Sequence, residues 1–131
     1  MAESKPLPTP TDEDREFWRR ASQHRLVLPR CRQCGNVWFP PYAHCPACFS
    51  PDIDWQPASG RGEVFAFTVF HRAYLGGFAA DVPYHVALIR LEEGPMMYGN
   101  VVGGQIRVGL GVEVFFDDVA EGVSLPRFRP A

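Results

Sequence analysis

The sequence predicts a mainly β protein, in which an N-terminal helix and a cysteine-rich ribbon lead into a small barrel of the OB type. Three observations carry that prediction. Four cysteines fall within eighteen residues as two C-x-x-C pairs. Downstream of them, about five apolar or alternating segments are punctuated by turn residues, the strand count of a small Greek-key barrel. Thirteen prolines and twelve glycines in 131 residues favour many short elements with sharp connections over a helical bundle. A β-sandwich is the alternative at this size, but it normally needs about seven strands.

Taken in order, residues 1–10 read as an extended, proline-rich arm. Thr11 is placed as a helix N-cap, its hydroxyl facing the N–H near Asp14, with Asp12, Glu13 and Asp14 at the positive end of the helix dipole. The helix is expected to reach Gln23, with Phe17, Trp18 and Ala21 as a narrow apolar stripe suited to docking. A short strand over 25–28 should end at Pro29, and residues 52–55 lead out of the ribbon. A turn at 59–62 opens the most strand-like stretch, 63–72, whose two apolar faces predict cover on both sides. Residues 73–81 form a loop with paired glycines. Strands at 83–91 and 96–102, joined by Glu92-Glu93-Gly94-Pro95, read as a hairpin. A short strand is expected around Ile106 and Val108, and a half-buried one at 112–116. The tail over 125–130 carries prolines that bar it from a central strand. The natural division is residues 1–58 for arm, helix and ribbon, and 59–131 for barrel and tail.

An apolar content of 46% against 21% charge is that of a folded chain. No apolar run approaches the ~18 residues needed to cross a bilayer. The N-terminus shows no cationic start followed by an apolar stretch, so a cytoplasmic location, with reduced thiols, is the expectation. A net charge of −2 argues against nucleic acid as a partner.

Cys31-x-x-Cys34 and Cys45-x-x-Cys48, ten residues apart, have the spacing of two knuckles presenting a tetrahedral S₄ site. Zn²⁺ suits such a site, iron of the rubredoxin kind is the closer competitor, and two disulfides are the bland alternative. Four sulfurs leave no open position for water or substrate, so the expected role is structural. Gly35 after Cys34 permits a left-handed turn, whereas Phe49 stands at the equivalent place after Cys48. His44, beside Cys45, reads as a surface residue. The aromatics Trp38, Phe39 and Tyr42 between the knuckles exceed what so small a ribbon can hide. They should pack on Phe17 and Trp18, on the barrel, or on a partner protein.

No nucleophile elbow, phosphate loop, dinucleotide fingerprint or zinc-protease motif is present. His71 and His85 lie near strand ends, with Asp81 nearby in sequence. An acid–base pair is conceivable there, and hydrogen-bonded structural histidines are the simpler reading.

These segments together resemble the DUF35 family of OB-fold proteins with a rubredoxin-like zinc ribbon. The pieces that carry the resemblance are Phe17-Trp18, Leu28-Pro29-Arg30-Cys31-x-x-Cys34-Gly35, Phe39-Pro40-Pro41, Cys45-Pro46-x-Cys48, Gly60-Arg61-Gly62-Glu63-Val64, Pro83-Tyr84 with Val86-Ala87-Leu88, Glu93-Gly94-Pro95 and Leu125-Pro126-Arg127-Phe128. They run in order along nearly the whole chain, and Phe49, where a glycine is typical, is the departure. The resemblance implies a non-catalytic accessory subunit that docks by helix and ribbon onto a thiolase, acyltransferase or side-chain aldolase, as in steroid degradation, and helps hold an acyl-CoA. Phe17, Trp18, Trp38, Phe39 and Tyr42 are the expected docking residues. Phe70, His71, Arg72, Phe78 and Tyr84, around the glycine-bearing loop, are the expected ligand residues, with Arg72 placed for a phosphate. Two other readings stay open. A single-stranded nucleic-acid binder would stack bases on Phe65, Phe67 and Phe70, though its cations here are scattered. A stand-alone enzyme acting on a thioester is the other.

Overall fold

In the computed structural model the described residues are 5–131 except Tyr74. The first four residues of the expected arm, and one residue of the glycine-bearing loop, lie outside them.

A short helix, α1 (Arg15–Ala21), precedes the strands β1 (Val27–Cys31) and β2 (Ile53–Pro57), which form a two-stranded antiparallel sheet. Five more strands follow: β3 (Arg61–Phe70), β4 (Tyr84–Leu91), β5 (Met96–Gly99), β6 (Gly111–Ala120) and β7 (Val123–Pro130). Their order in the sheet is β5-β4-β3-β6-β7, and a parallel bridge between Val101 and Phe128 brings the two ends together. The sheet is thereby rolled into a nearly closed barrel with OB connectivity.

The helix starts three residues later than Thr11 alone would place it. Asp14 stands at the N-cap position without a side-chain cap: its carboxylate faces back and accepts the Thr11 N–H at 2.6 Å and the Thr11 hydroxyl at 3.0 Å. Glu16 braces the helix through Arg19 and Arg20. Hydrogen bonds from Arg19 first, then Arg20, hold its carboxyl at about 2 against the opposing cost of desolvation.

One proline argument is corrected: Pro29 lies inside β1 instead of ending it. The tail forms a strand, β7, paired along β6, and it stands at the end of the sheet order and not in a central place. Both strands admit proline because of which edge the missing N–H faces. Pro29 sits on the side of β1 turned away from β2, where its carbonyl accepts the Trp38 N–H at 3.2 Å. In β7, Phe128 directs its N–H to Asn100 and its carbonyl to Val102, away from β6. Pro126 and Pro130, two residues to either side, share that orientation and cost the β6–β7 ladder nothing.

The expected cover on both faces of β3 is also corrected. Only Val64 of that strand is buried, and Phe65 and Val69 are exposed. A bulge between Val64 and Ala66 shifts the alternation, so that Val64 opposes buried Ile89 while Phe67 opposes buried Ala87. No strand forms around Ile106 and Val108.

The barrel core joins Val64, Ala87, Ile89, Leu91, Met97, Val101, Val112 and Phe128 to Phe17 of α1 and to Leu26 and Leu28 around β1. Helix and ribbon are therefore seated in the barrel's own core. At the end of the helix His24 adds a surface link, its Nε2 lying 2.8 Å from Asp118 and its ring stacked on Phe116.

Candidate metal centre and ligand cavity

Each C-x-x-C segment turns back on itself in the same way. Gly35 donates its N–H to the Cys31 carbonyl at 2.9 Å, and Phe49 donates to the Cys45 carbonyl at 2.7 Å. Both turns need a left-handed residue, Gly35 at φ 78° and Phe49 at φ 64°. Phe49 meets this steric demand with its side chain 75% exposed. The knuckle geometry is thus kept, at a cost of roughly 1 kcal/mol for an L-residue in that region. Replacing Phe49 by glycine is expected to raise stability by up to about 1 kcal/mol with metal content unchanged, as read by thermal melts and elemental analysis.

The turns bring the four sulfurs together within 4.8 Å of one another. Cys31 Sγ lies 3.6 Å from Cys48 Sγ, and Cys34 Sγ lies 3.6 Å from Cys45 Sγ. Those separations are far too long for disulfides, and all four cysteines are free. They are close to the ~3.8 Å edge of a tetrahedron with metal–sulfur bonds of about 2.3 Å. Backbone N–H groups of Cys34 and Ala47 point at Cys31 Sγ and Cys45 Sγ, each at 3.4 Å. Burial opposes ionisation of Cys45, yet these and neighbouring donors bring its thiol down to about 6. At Cys48 the Ser50 N–H favours the thiolate, but desolvation and the surrounding cysteines push it up to about 12. A cluster in which one thiol ionises at the expense of the next is one that a divalent cation would stabilise.

The aromatic docking set is redistributed. Trp38 is buried with Cys31 and Cys45, and Phe17 is buried in the barrel core. Neither is available on the outside, because the ribbon is not a separate lobe that has to hide its own side chains. Phe17 packs against Trp18 and Phe39 at ring distances of 5.1 and 5.3 Å. Trp18 and Phe39 are half-buried and line a cavity of about 290 Å³ with Met97, Leu125 and Arg127. Tyr42 alone of the five is exposed.

The ligand set is split as well. Phe78 and Tyr84 line a cavity of about 500 Å³ on the β4 side, with Lys5, His85, Asn100, Val101 and Arg127 among its walls. Phe70 stacks on Tyr84 at 5.3 Å and supports that wall from behind. His71 and Arg72 are not part of the lining. His85 is held by the Val101 N–H, which donates to its Nε2 at 2.9 Å and so places the ring proton on Nδ1. Asp81 is taken by Lys5 at 2.6 Å. These contacts make His85 and Asp81 wall residues instead of an acid–base pair. Arg127, which borders both cavities and pairs with Asp117 at 2.9 Å, was not singled out by sequence reasoning. Its position in Leu125-Pro126-Arg127-Phe128, one of the segments carrying the family resemblance, was the available signal.

A helix-braced S₄ ribbon seated in an OB barrel, with open cavities along one side, defines a small class of zinc-ribbon OB proteins. The family models that match are the rubredoxin-like zinc ribbon domain of ChsH2 over residues 18–54 and its C-terminal OB-fold domain over residues 55–117. The chain belongs to the DUF35 family. It is 33% identical to a DUF35 domain-containing scaffold protein of Methanocaldococcus jannaschii, covering 79% of this chain and 77% of that one. It is 37% identical to the probable enoyl-CoA hydratase alpha subunit of Thermomonospora curvata, over 92% of this chain but only 38% of that subunit's length. Among solved structures it resembles a chain of the Ltp2-ChsH2(DUF35) aldolase, with a TM-score of 0.85 and 34% identity over 94% of this chain and 98% of that one. No helix among the described residues is long and apolar enough to cross a membrane.

Proposed function

We propose that this protein is a non-catalytic accessory subunit that docks onto an acyl-CoA-processing enzyme, an aldolase, hydratase or thiolase, and helps hold the acyl-CoA. The observation that carries this reading is the likeness to a chain of the Ltp2-ChsH2(DUF35) aldolase, which extends over 98% of that chain. The four cysteines supply the metal part of the role: Cys31, Cys34, Cys45 and Cys48 would hold one Zn²⁺. A closed S₄ shell supplies shape and no Lewis-acid chemistry. Residues 1–58 would then present helix and ribbon to the partner, with residues 59–131 contributing the ligand wall. Of the docking residues, Tyr42 and the half-buried Trp18 and Phe39 are the ones placed for contact, and Phe17 and Trp38 act by holding the ribbon in place. In the cavity, Phe78 and Tyr84 offer apolar contact for a pantetheine or acyl group, and Arg127 offers charge to a polar end.

The decisive experiment pairs this protein with the aldolase, hydratase or thiolase that co-purifies with it from its native host. The two should co-elute in gel filtration, and the enzyme's kcat/KM should fall by about tenfold or more when this subunit is left out, because positioning is lost. Phe78→Ala in the complex should weaken CoA-ester binding several-fold by calorimetry, within the range of one lost aromatic contact. Thioester turnover by the isolated subunit, or full activity of the enzyme without it, would overturn the reading.

A further inference from the structure

Beyond Val64, no strand among the described residues lies beside the outer edge of β3. β6 pairs with β3 only at Arg61, Gly62 and Glu63. At Val64 the N–H donates to the Leu110 carbonyl at 2.9 Å and the carbonyl accepts the Gly109 N–H at 2.8 Å, which ends the cover on that side. From Ala66 to Val69 the only strand paired with β3 among the described residues is β4. In the loop that follows β3, the described 3₁₀ turn Gly76–Phe78 is carried to the β4 side. Its Phe78 lies against Tyr84 of β4 at a ring distance of 5.7 Å and lines the cavity on that side.

Proteins normally guard such an edge with a charge or a proline, and neither occurs between Glu63 and His71. Instead Phe65 and Val69 stand 45% and 41% exposed. The segment is also complementary to itself when reversed. With a two-fold axis at Phe67, Phe65 of one copy faces Val69 of the other and Ala66 faces Thr68. Within the open segment no charged residue is set against another.

We propose that two copies of this chain pair antiparallel through the Phe65–Val69 edge of β3, extending the two barrels into one continuous sheet across a two-fold axis. The interaction closes on itself as an isologous pair and gives a ladder partner to an edge that has none among the described residues. It does not rest on the acyl-CoA reading, and it leaves the cavity beside β4 open. A ladder of about five residues per copy lies below the area of a standard stable interface, so the dimer should dissociate on dilution.

Sedimentation velocity of the metal-loaded full chain from ~1 to ~500 µM, the affinity range of such contacts, reads this directly. A monomer–dimer equilibrium is expected. Ala66→Glu or Thr68→Lys alone should weaken it about tenfold or more, since each charge is placed against an uncharged, desolvated neighbour. The double variant should recover most of the loss, because the two-fold sets the opposite charges face to face. Val119→Lys, an equivalent change at an exposed position on β6, should leave the equilibrium unchanged. In the unaltered protein, hydrogen-exchange protection of amides 65–69 should rise with concentration. A monomer throughout the range, a dimer indifferent to both single variants, or protection that appears only on adding the acyl-CoA enzyme would each overturn the proposal.

Discussion

Cys45→Ser, or removal of metal by a strong chelator, should unfold the ribbon while much of the barrel stays folded. Apart from its cysteines, the ribbon has a small interior: Trp38 is buried with Cys31 and Cys45, and Ile53 packs partly against them. That cluster cannot offset the chain entropy of ordering some twenty residues. Structural zinc sites contribute about 10–16 kcal/mol in small peptides at neutral pH, and the metal's share of folding here should be of that order. Trp38 fluorescence should shift to the red, and protease sites should open between residues 32 and 52. Cooperative melting should drop sharply, because Leu28 of β1 belongs to the barrel core. Acid should act in the same direction. Protons compete with the metal for the four thiolates, so the metal's contribution is lost as pH falls. Elemental analysis should find one zinc per chain at pH 7.5 and progressively less below about pH 5. An unchanged melt after complete metal removal would contradict this account.

Phe128→Ala should be the most damaging substitution in the barrel. Phe128 is completely buried and forms the joint that closes the sheet. Its N–H donates to the Asn100 carbonyl at 2.9 Å, and its carbonyl accepts the Val102 N–H at 2.7 Å. The ring lies so close over Gly99 that a Cβ there would come within 2.9 Å of it. Truncation leaves a ring-sized void beside a residue with no side chain to fill it. The loss should be about 3–5 kcal/mol. For a chain of this length that lowers the melting temperature on the order of 15 °C. Metal content should be unaffected, which separates this effect from that of Cys45→Ser. Gly99→Ala should disturb the same joint from the other side, since an added Cβ at 2.9 Å forces a fully buried ring to move.

Both predictions rest on features that differ in how openly the sequence displays them. The metal centre is local: eighteen residues bring their own ligands, turns and N–H donors. Even the departure at Phe49 is absorbed by a left-handed backbone with the ring turned outward. Phe128 was legible only as part of a tail with awkward prolines. Its place at the barrel seam depends on which edge of β7 each N–H faces, and that is decided by strand pairing over long range.

By itself the sequence determined the class of fold, the order of most of its elements, the four sulfurs and the family to which the chain belongs. These follow from short-range rules, in which spacing, alternation and turn chemistry act over a few residues. Tertiary structure alone decided which aromatics are hidden and which strand edge is open. Trp38 and Phe17 look like anchors until the ribbon cluster and the barrel core close over them. Phe65 and Val69 look like core until the bulge at Val64 and the short β3–β6 pairing leave them outside. It also gathered Phe78, Tyr84 and Arg127, from three separate segments, around neighbouring cavities while leaving Arg72 out of the lining. Burial is a property of what arrives from elsewhere in the chain, and an apolar pattern records only that a side chain favours cover, not whether cover is supplied.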